Sequence, residues 1–506
     1  MSTIQLKHVT FGYDSQEKTI FNDTSLKLQT EWKLGLIGRN GRGKTTLLKL
    51  LQNELPFKGV IQHEQTFHYF PQTVIDKQQS TYDVLQALCS VDQWKIEREL
   101  RLLAVDESSL WRPFDTLSGG EQTKVLLAVL FVDEQNYPLI DEPTNHLDQI
   151  ARQQVVSYLQ SKKMGFILVS HDRAFVDEVV DHVLAIEKSQ LILYNGNFSV
   201  YEKQKAMRDQ FEQNQNTKIK KEIGRLKHTA AEKAEWSRSK ERDKLGSPKK
   251  LGSGGIFDTG AIGARAARTM KRSKAIVKRM EEQANEKEQL LKDIEYVDPL
   301  TMQARKTHHR MLVSAEKVQL GYDYPLFRPL SFEIEQGQRF ALRGGNGSGK
   351  TTLLAAILGT FSGNLQGNLT IPKGITISTV RQNYEDNRGT LAEFAEENGL
   401  VYADLLNNLF KLGVERTVFH TRIEQMSMGQ RKRVELAKSL ATPAELFIWD
   451  EPLNYLDVFN HQQIEQVIQM IQPTMIVVEH DARFIDTIAT NVIDVIPVNA
   501  FKESER

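Results

Sequence analysis

The chain has 506 residues, 40% hydrophobic and 26% charged, with 65 Lys+Arg against 65 Asp+Glu; that length predicts about three domains, and that balance excludes a disordered chain, a collagen and a whole-molecule polyanion binder. No apolar run approaches the roughly 18–20 residues of a membrane helix, and the first ten residues alternate polar and apolar without a signal core. The single cysteine, Cys89, excludes an internal disulfide, so a reducing cytoplasm is the expected setting.

Met1–Thr10 reads as a strand, followed by Phe11-Gly12-Tyr13. Leu34–Ile37 is a short apolar strand that runs into Gly38-Arg39-Asn40-Gly41-Arg42-Gly43-Lys44-Thr45, and a helical stretch covers Thr45–Glu54. Phe70-Pro71-Gln72 comes next, then Leu117-Ser118-Gly119-Gly120-Glu121, with a helical stretch over Gly120–Val132. Pro138–Ile140 is an apolar strand ending in Asp141-Glu142, and Phe166–Val169 is another ending in Ser170-His171-Asp172.

The same landmarks then recur. Leu320-Gly321-Tyr322, Gly344-Gly345-Asn346-Gly347-Ser348-Gly349-Lys350-Thr351, Val380-Arg381-Gln382, Met426-Ser427-Met428-Gly429-Gln430, Asp450-Glu451 and Glu479-His480-Asp481 repeat the first set at offsets of 306 to 310. Two copies of one α/β domain explain this, with strands and helices alternating around a largely parallel sheet. The copies are placed at 1–200 and 312–500, with a short tail at 501–506.

Residues 201–311 differ in kind. Over 201–310 there are 27 Lys+Arg against 16 Asp+Glu, a net +11, which leaves −11 on the rest of the neutral chain. Tyr201–Lys244 has no proline and reads as one long helix, and Thr269–Tyr296 reads as a second. Between them the segment 245–262 is rich in Gly, Ser and Pro and breaks helix. The expected form is a long α-helical hairpin with an extended loop far from the repeated bodies. Basic residues outnumber acidic ones 12 to 3 over 240–280, so the loop end, from Lys244 onward, is expected to meet a polyanion with strong salt dependence. Ile256 and Phe257, apolar residues in that loop, are candidates for contact with a nucleobase or a drug pocket.

Gly-x-x-x-x-Gly-Lys-Thr between a strand and a helix is a phosphate-binding loop. Its glycines turn backbone N–H groups onto phosphate oxygens, and the helix N-terminus favours an anion. Lys44 and Lys350 are expected at the β/γ-phosphates. Thr45 and Thr351 are expected on Mg²⁺, and Thr46 and Thr352 continue each loop. Asp141 and Asp450 are expected at the Mg²⁺ water shell, and Gln72 and Gln382 as Mg²⁺ or water contacts. Glu142 and Glu451 are the candidate bases for water. His171 and His480 are expected at the γ-phosphate, and Tyr13 and Tyr322 as adenine-stacking faces.

Ser118-Gly119-Gly120-Glu121, lying between the P-loop and Asp141-Glu142, resembles the signature of ATP-binding-cassette (ABC) ATPases. The resemblance implies two tandem P-loop ABC ATPase domains with helical subdomains, packed head to tail within a monomer around two ATPs. One site would pair Gly38–Thr45 with Ser427–Gln430, the other Gly344–Thr351 with Ser118–Glu121. Tandem cassettes with a long charged linker, and the stretch from Asp141 to Asp148, are similar to the ABC-F branch. The loop Gly254–Gly260 resembles its ribosome-protection subgroup. What this implies is binding to the bacterial 70S ribosome, at 23S rRNA and the tRNA exit site, with protection of the peptidyl-transferase centre from lincosamides, streptogramin A and pleuromutilins. Two alternatives stand beside it: a housekeeping ABC-F translation factor, and a transporter ATPase needing separate membrane subunits. This chain departs from the pattern at Arg42 and Met428, both in the site of Lys44, and at Leu453 and Tyr455. Unequal sites are therefore expected, the one with Lys44 being slower.

Overall fold

The computed structural model describes residues 2–13, 19–89, 91–133, 135–144, 147–187, 190–244, 271, 275–280 and 299–498. Ile256, Phe257, the Gly254–Gly260 loop, Asn145, His146, the tail 501–506 and most of the expected helix Thr269–Tyr296 lie outside the described residues, as does the side chain of Lys244. The chain divides into two compact units. One joins Met1–Tyr201 with Val297–Arg506, so both copies fold together; the other is Glu202–Tyr296.

In the first copy the strands are β1 (Thr3–Phe11), β2 (Phe21–Gln29), β3 (Lys33–Gly38), β4 (Lys58–Gln62), β5 (Thr66–Phe70), β6 (Asn136–Asp141), β7 (Phe166–Val169), β8 (His182–Glu187) and β9 (Gln190–Asn195). The central sheet runs β5-β6-β7-β3-β8-β9 and is parallel except for β9. In the second copy they are β10 (Met311–Gly321), β11 (Leu330–Glu335), β12 (Arg339–Arg343), β13 (Asn364–Thr370), β14 (Ile377–Val380), β15 (Leu446–Asp450), β16 (Met475–Val478) and β17 (Asn491–Asp494). Its sheet, β14-β15-β16-β12-β17, is wholly parallel. The expected parallel sheets are present. The sequence reading did not separate out the small antiparallel sheets, β2-β1-β4 and β11-β10-β13, that each copy adds.

The parallel strands read as unbroken apolar runs because both faces are covered. All four residues of β7 are buried. Successive residues serve opposite cores: Leu139 and Ile167 join the core under the antiparallel sheet, whereas Ile140 and Leu168 join the core under the helices. The strands thus end together, and their C-terminal ends carry Gly38, Asp141 and Val169 into one region. The expected helix Thr45–Glu54 forms over Lys44–Leu51, and Gly120–Val132 over Gly119–Leu130. Helices Thr81–Leu88 and Gln93–Leu102 fill the insertion between Gln72 and Ser118.

The long helix is continuous over Phe198–Lys244, 47 residues, or about 70 Å, and from Glu202 onward it belongs to the second unit. Asn216, Ile223 and Ala230 are buried along it. With the half-buried Lys205, Asp209, Glu212, Ile219 and Leu226 they fill alternating three- and four-residue steps. That spacing is the seam of a coiled coil.

Candidate nucleotide-binding sites

Each P-loop turns on a glycine just before its helix. Gly43 has φ 95° and Gly349 φ 94°, a left-handed conformation costly for other residues. A Cβ at Gly43 would lie 2.4 Å from Ile20, and one at Gly349 2.7 Å from Phe327. Each loop is therefore open to glycine alone on both grounds. Lys44 Nζ donates to Gly38 O at 2.8 Å and to Asn40 Oδ1 at 3.2 Å. Lys350 Nζ donates to Gly344 O and Gly345 O, both at 2.9 Å. Burial lowers the pKa of both lysines. Both ammonium groups are thus held within their own loops, beside the backbone that would face a phosphate.

Thr45 Oγ1 donates to Asp141 Oδ2 at 3.0 Å, and Thr351 Oγ1 to Asp450 Oδ2 at 3.0 Å. A hydroxyl next to a carboxylate is a hard-oxygen set that suits Mg²⁺, which takes one or two carboxylates and completes its shell with phosphate and water. Among the described residues no cluster of three His, Cys, Asp or Glu forms a protein-only cage.

The adjacent glutamates stand on strained backbone. Glu142 has φ 54° and Glu451 φ 46°, positive values uncommon for non-glycine residues and concentrated at functional sites. Their N–H groups donate to Val169 O at 2.8 Å and Val478 O at 2.9 Å. This turn lets consecutive carboxylates, which would face apart on a straight strand, enter one region. His171 Nε2 lies 3.3 Å from Glu142 Oε1, and the His171 N–H donates to Glu142 Oε2 at 3.3 Å. His480 Nε2 lies 3.7 Å from Glu451 Oε1. Gln382 and Asn454 donate to Glu451 Oε2 at 3.2 and 2.7 Å.

The two glutamates differ electrostatically. Burial, reinforced by Asp141, pushes Glu142 up to about 8. The hydrogen bond from His480, with Gln382 helping, holds Glu451 below its ordinary value against the effect of burial. Burial keeps His171 well below the usual imidazole range, with Lys44 adding to the effect. Gln72 departs from its counterpart: its Nε2 donates to Leu126 O at 3.3 Å, so its amide is engaged by the signature helix rather than by Glu142.

Ser118 caps the helix Gly119–Leu130, and Ser427 caps Met428–Ala441, each with a full capping box through Glu121 or Gln430. A cavity of about 1190 Å³ is lined by both Ser118–Glu121 and Asn346–Thr352, with Tyr322, Gln382, Glu451 and His480. The expected pairing of the second P-loop with the first signature is thus one continuous surface. A second cavity, about 710 Å³, is lined by Tyr13, Asn40, Gly41, Gly43–Thr46, Asp141, Glu142 and His171. Of the second signature, Gly429 lines the larger cavity, and Met428 is 46% exposed. The first P-loop reaches the second copy elsewhere: the Asn40 N–H donates to Asp457 Oδ2 at 2.8 Å, and Asn40 Nδ2 to Tyr455 O at 3.2 Å. Arg39 lies over the Phe459 ring at 5.4 Å.

Sequence reasoning gave no role to Asp457, yet its repeat was visible, since Asp148 and Asp457 each follow the strand-ending aspartate by seven residues. The substitution at Leu453 has a structural counterpart. Thr144 Oγ1 pairs with Ser170 Oγ at 3.1 Å in the first copy. In the second, Leu453 replaces the threonine and Glu479 the serine, and Glu479 Oε1 accepts from the Leu453 N–H at 3.0 Å.

A protein-family model described as ABC transporter matches residues 21–145 and 327–454. The Ribosome protection protein VmlR of Bacillus subtilis (strain 168) is 30% identical over 480 residues, covering 94% of this chain and 84% of that protein. The Energy-dependent translational throttle protein EttA of Mycobacterium tuberculosis (strain ATCC 25618 / H37Rv) is 25% identical over 537 residues, covering 94% and 88%. Among solved structures, the archaeal ribosome recycling factor aABCE1, in complex with the ribosomal stalk protein aP1, superposes with a TM-score of 0.61 at 18% identity, covering 96% of this chain and 87% of that chain. At that identity the likeness is one of fold.

Proposed function

This chain belongs to the ABC-F family of ABC ATPases, and from that premise we propose that it is a ribosome-bound clamp whose linker protects the peptidyl-transferase centre from lincosamides, streptogramin A and pleuromutilins. It is an ATPase, as its two cassettes imply. The observation that carries the clamp is the cavity shared by Ser118–Glu121 and Asn346–Thr352: an ATP on the second P-loop would touch both copies at once. In this reading Lys44 and Lys350 exchange loop carbonyls for phosphate oxygens. Thr45 with Asp141, and Thr351 with Asp450, hold Mg²⁺, which when bound neutralises phosphate charge. Glu142 and Glu451 take a proton from the attacking water, and His171 and His480 orient them. Tyr13 and Tyr322 stack on adenine. Bound ATP joins the cassettes and fixes the linker, and hydrolysis releases both.

The ribosomal target and the drug classes rest on the similarity to VmlR and on the net +11 of 201–310. The 70S particle, its 23S rRNA and the exit-site tRNA region are the partners in this reading, with Ile256 and Phe257 as candidate contact residues. Similarity to EttA favours a second reading, a housekeeping factor that acts on translation without a drug. Expression in a drug-sensitive bacterium separates them. Protection predicts a severalfold or greater rise in the inhibitory concentration of all three drug classes. Unchanged susceptibility, with altered translation in drug-free cells, would favour the second reading.

A further inference from the structure

The two strand-ending aspartates, Asp141 and Asp450, are supported differently. Asp141 Oδ2 accepts two hydroxyl hydrogen bonds, from Thr45 Oγ1 at 3.0 Å and from Tyr69 OH at 2.9 Å. Among the described residues, Asp450 accepts a side-chain hydrogen bond from Thr351 Oγ1 alone. Strand register locates the cause. Tyr69 pairs with Leu139, two residues before Asp141. Thr379 pairs with Ile448, two residues before Asp450. Thr379 is therefore the structural counterpart of Tyr69, and its side chain is a whole aromatic ring shorter. Tyr69 also lines the 710 Å³ cavity beside Lys44, Thr45 and Asp141, so its phenol sits at the cation end of the site and not merely behind the strand.

This asymmetry has a chemical consequence. If Thr45 Oγ1 turns from Asp141 to a cation, Asp141 keeps a second donor that fixes its carboxylate plane. Asp450 loses its only one when Thr351 does the same. Partners behind a metal-binding carboxylate orient it, and their removal typically costs 10–100-fold in metal affinity. Resting on the nucleotide-site reading above, we propose that Tyr69 is a positioning residue private to the Lys44 site, holding Asp141 in place so that this site retains its divalent cation with nucleotide at lower cation concentration than the Lys350 site does. A site that keeps its cation and nucleotide while its twin turns over suits the slower half of the pair.

The test uses the full chain with Mn²⁺ and the non-hydrolysable analogue AMP-PNP. Bound Mn²⁺ is followed by electron paramagnetic resonance in two backgrounds, Lys350→Ala (Lys44 site intact) and Lys44→Ala (Lys350 site intact). Tyr69→Phe, which keeps the ring and removes the hydroxyl, is added to each. The expected result is an increase of about tenfold in the Mn²⁺ concentration for half-occupancy in the Lys350→Ala background, with no change in the other. Unchanged Mn²⁺ affinity in the Lys350→Ala background overturns the proposal, and so does an equal shift in both, which marks a general effect on the fold. Failure of the Lys350→Ala protein to bind AMP-PNP before Tyr69 is touched overturns the nucleotide-site reading itself, a distinguishable result.

Discussion

At the scale of single residues, chemistry separates two sites that the repeated sequence makes look alike. The P-loop spacing and the strand ends name Lys44 and Lys350, Thr45 and Thr351, Asp141 and Asp450 as candidates, and the structure brings each set together. The departures at Arg42 and Met428 were legible too, but the contacts that set the twins apart were not, because they depend on neighbours brought in from other elements: Tyr69 from β5, Gln72 turned to Leu126, and Asp457 from the other copy. Glu142 and Glu451 show the consequence most clearly. A base must be ionised. With its range pushed up to about 8, Glu142 is mostly protonated at pH 7 and ionises as pH rises through that value. Glu451, held below the usual carboxylate range, is already ionised. Since kcat/KM reports the free enzyme, kcat/KM for ATP in the Lys350→Ala variant should climb between pH 7 and 9. In the Lys44→Ala variant it should be flat over the same span. Steady-state rates across that range check this, and identical profiles would contradict it.

At the scale of elements, composition located the linker helix but not its packing. The absence of proline predicted a helix from Tyr201, and the structure starts it three residues earlier at Phe198, which is buried in the first copy's core. The expected strand Phe166–Val169 forms with those bounds, whereas Leu34–Ile37 and Pro138–Ile140 were lengthened by a residue or two at their ends, where polar flanks such as Lys33 and Asn136 still pair in the ladder. The heptad seam through Asn216, Ile223 and Ala230 escaped notice because its other positions include Lys205, Asp209 and Glu212, whose charge hides the period. The energetic weight should fall on its few apolar residues. Ile223→Ala is expected to cost about 2–5 kcal/mol, the range for truncating a buried isoleucine. Hydrogen exchange of amides in 212–230 should then quicken by at least about tenfold, while exchange in the cassettes stays the same. Unchanged protection around Ile223 would mean that the seam does not bear load.

At the scale of the whole molecule, the duplication was plain from the repeated landmarks, and with it the two-cassette architecture. A buried contact that breaks the pseudo-symmetry was not. Arg173, 1% exposed at its side chain, forms a two-pronged ion pair with Glu465 of the other copy, and Asp481 lies 3.9 Å away. Its counterpart positions, offset by 309, are Ala482 and Val156, so the pair occurs once and leaves no mark in the repeat. Breaking one side of a buried pair strands the other charge, at a cost of about 3–5 kcal/mol. Arg173→Met should therefore destabilise the cassettes by that amount in urea unfolding, and Arg173→Met with Glu465→Met should recover most of it. A neutral single variant would show that the pair contributes nothing to joining the copies.

Those joined copies matter because ATP held between them is taken to keep the linker engaged on its target. Replacing both Glu142 and Glu451 with Gln removes the proposed bases while leaving the P-loops, signatures and linker intact. Purified in that form and mixed with bacterial 70S ribosomes and ATP, the protein is expected to pellet with the ribosomes in near-stoichiometric amount and to stay in the supernatant when ADP replaces ATP. A double variant that remains in the supernatant with ATP, or that pellets equally with ADP, would contradict the nucleotide-driven clamp.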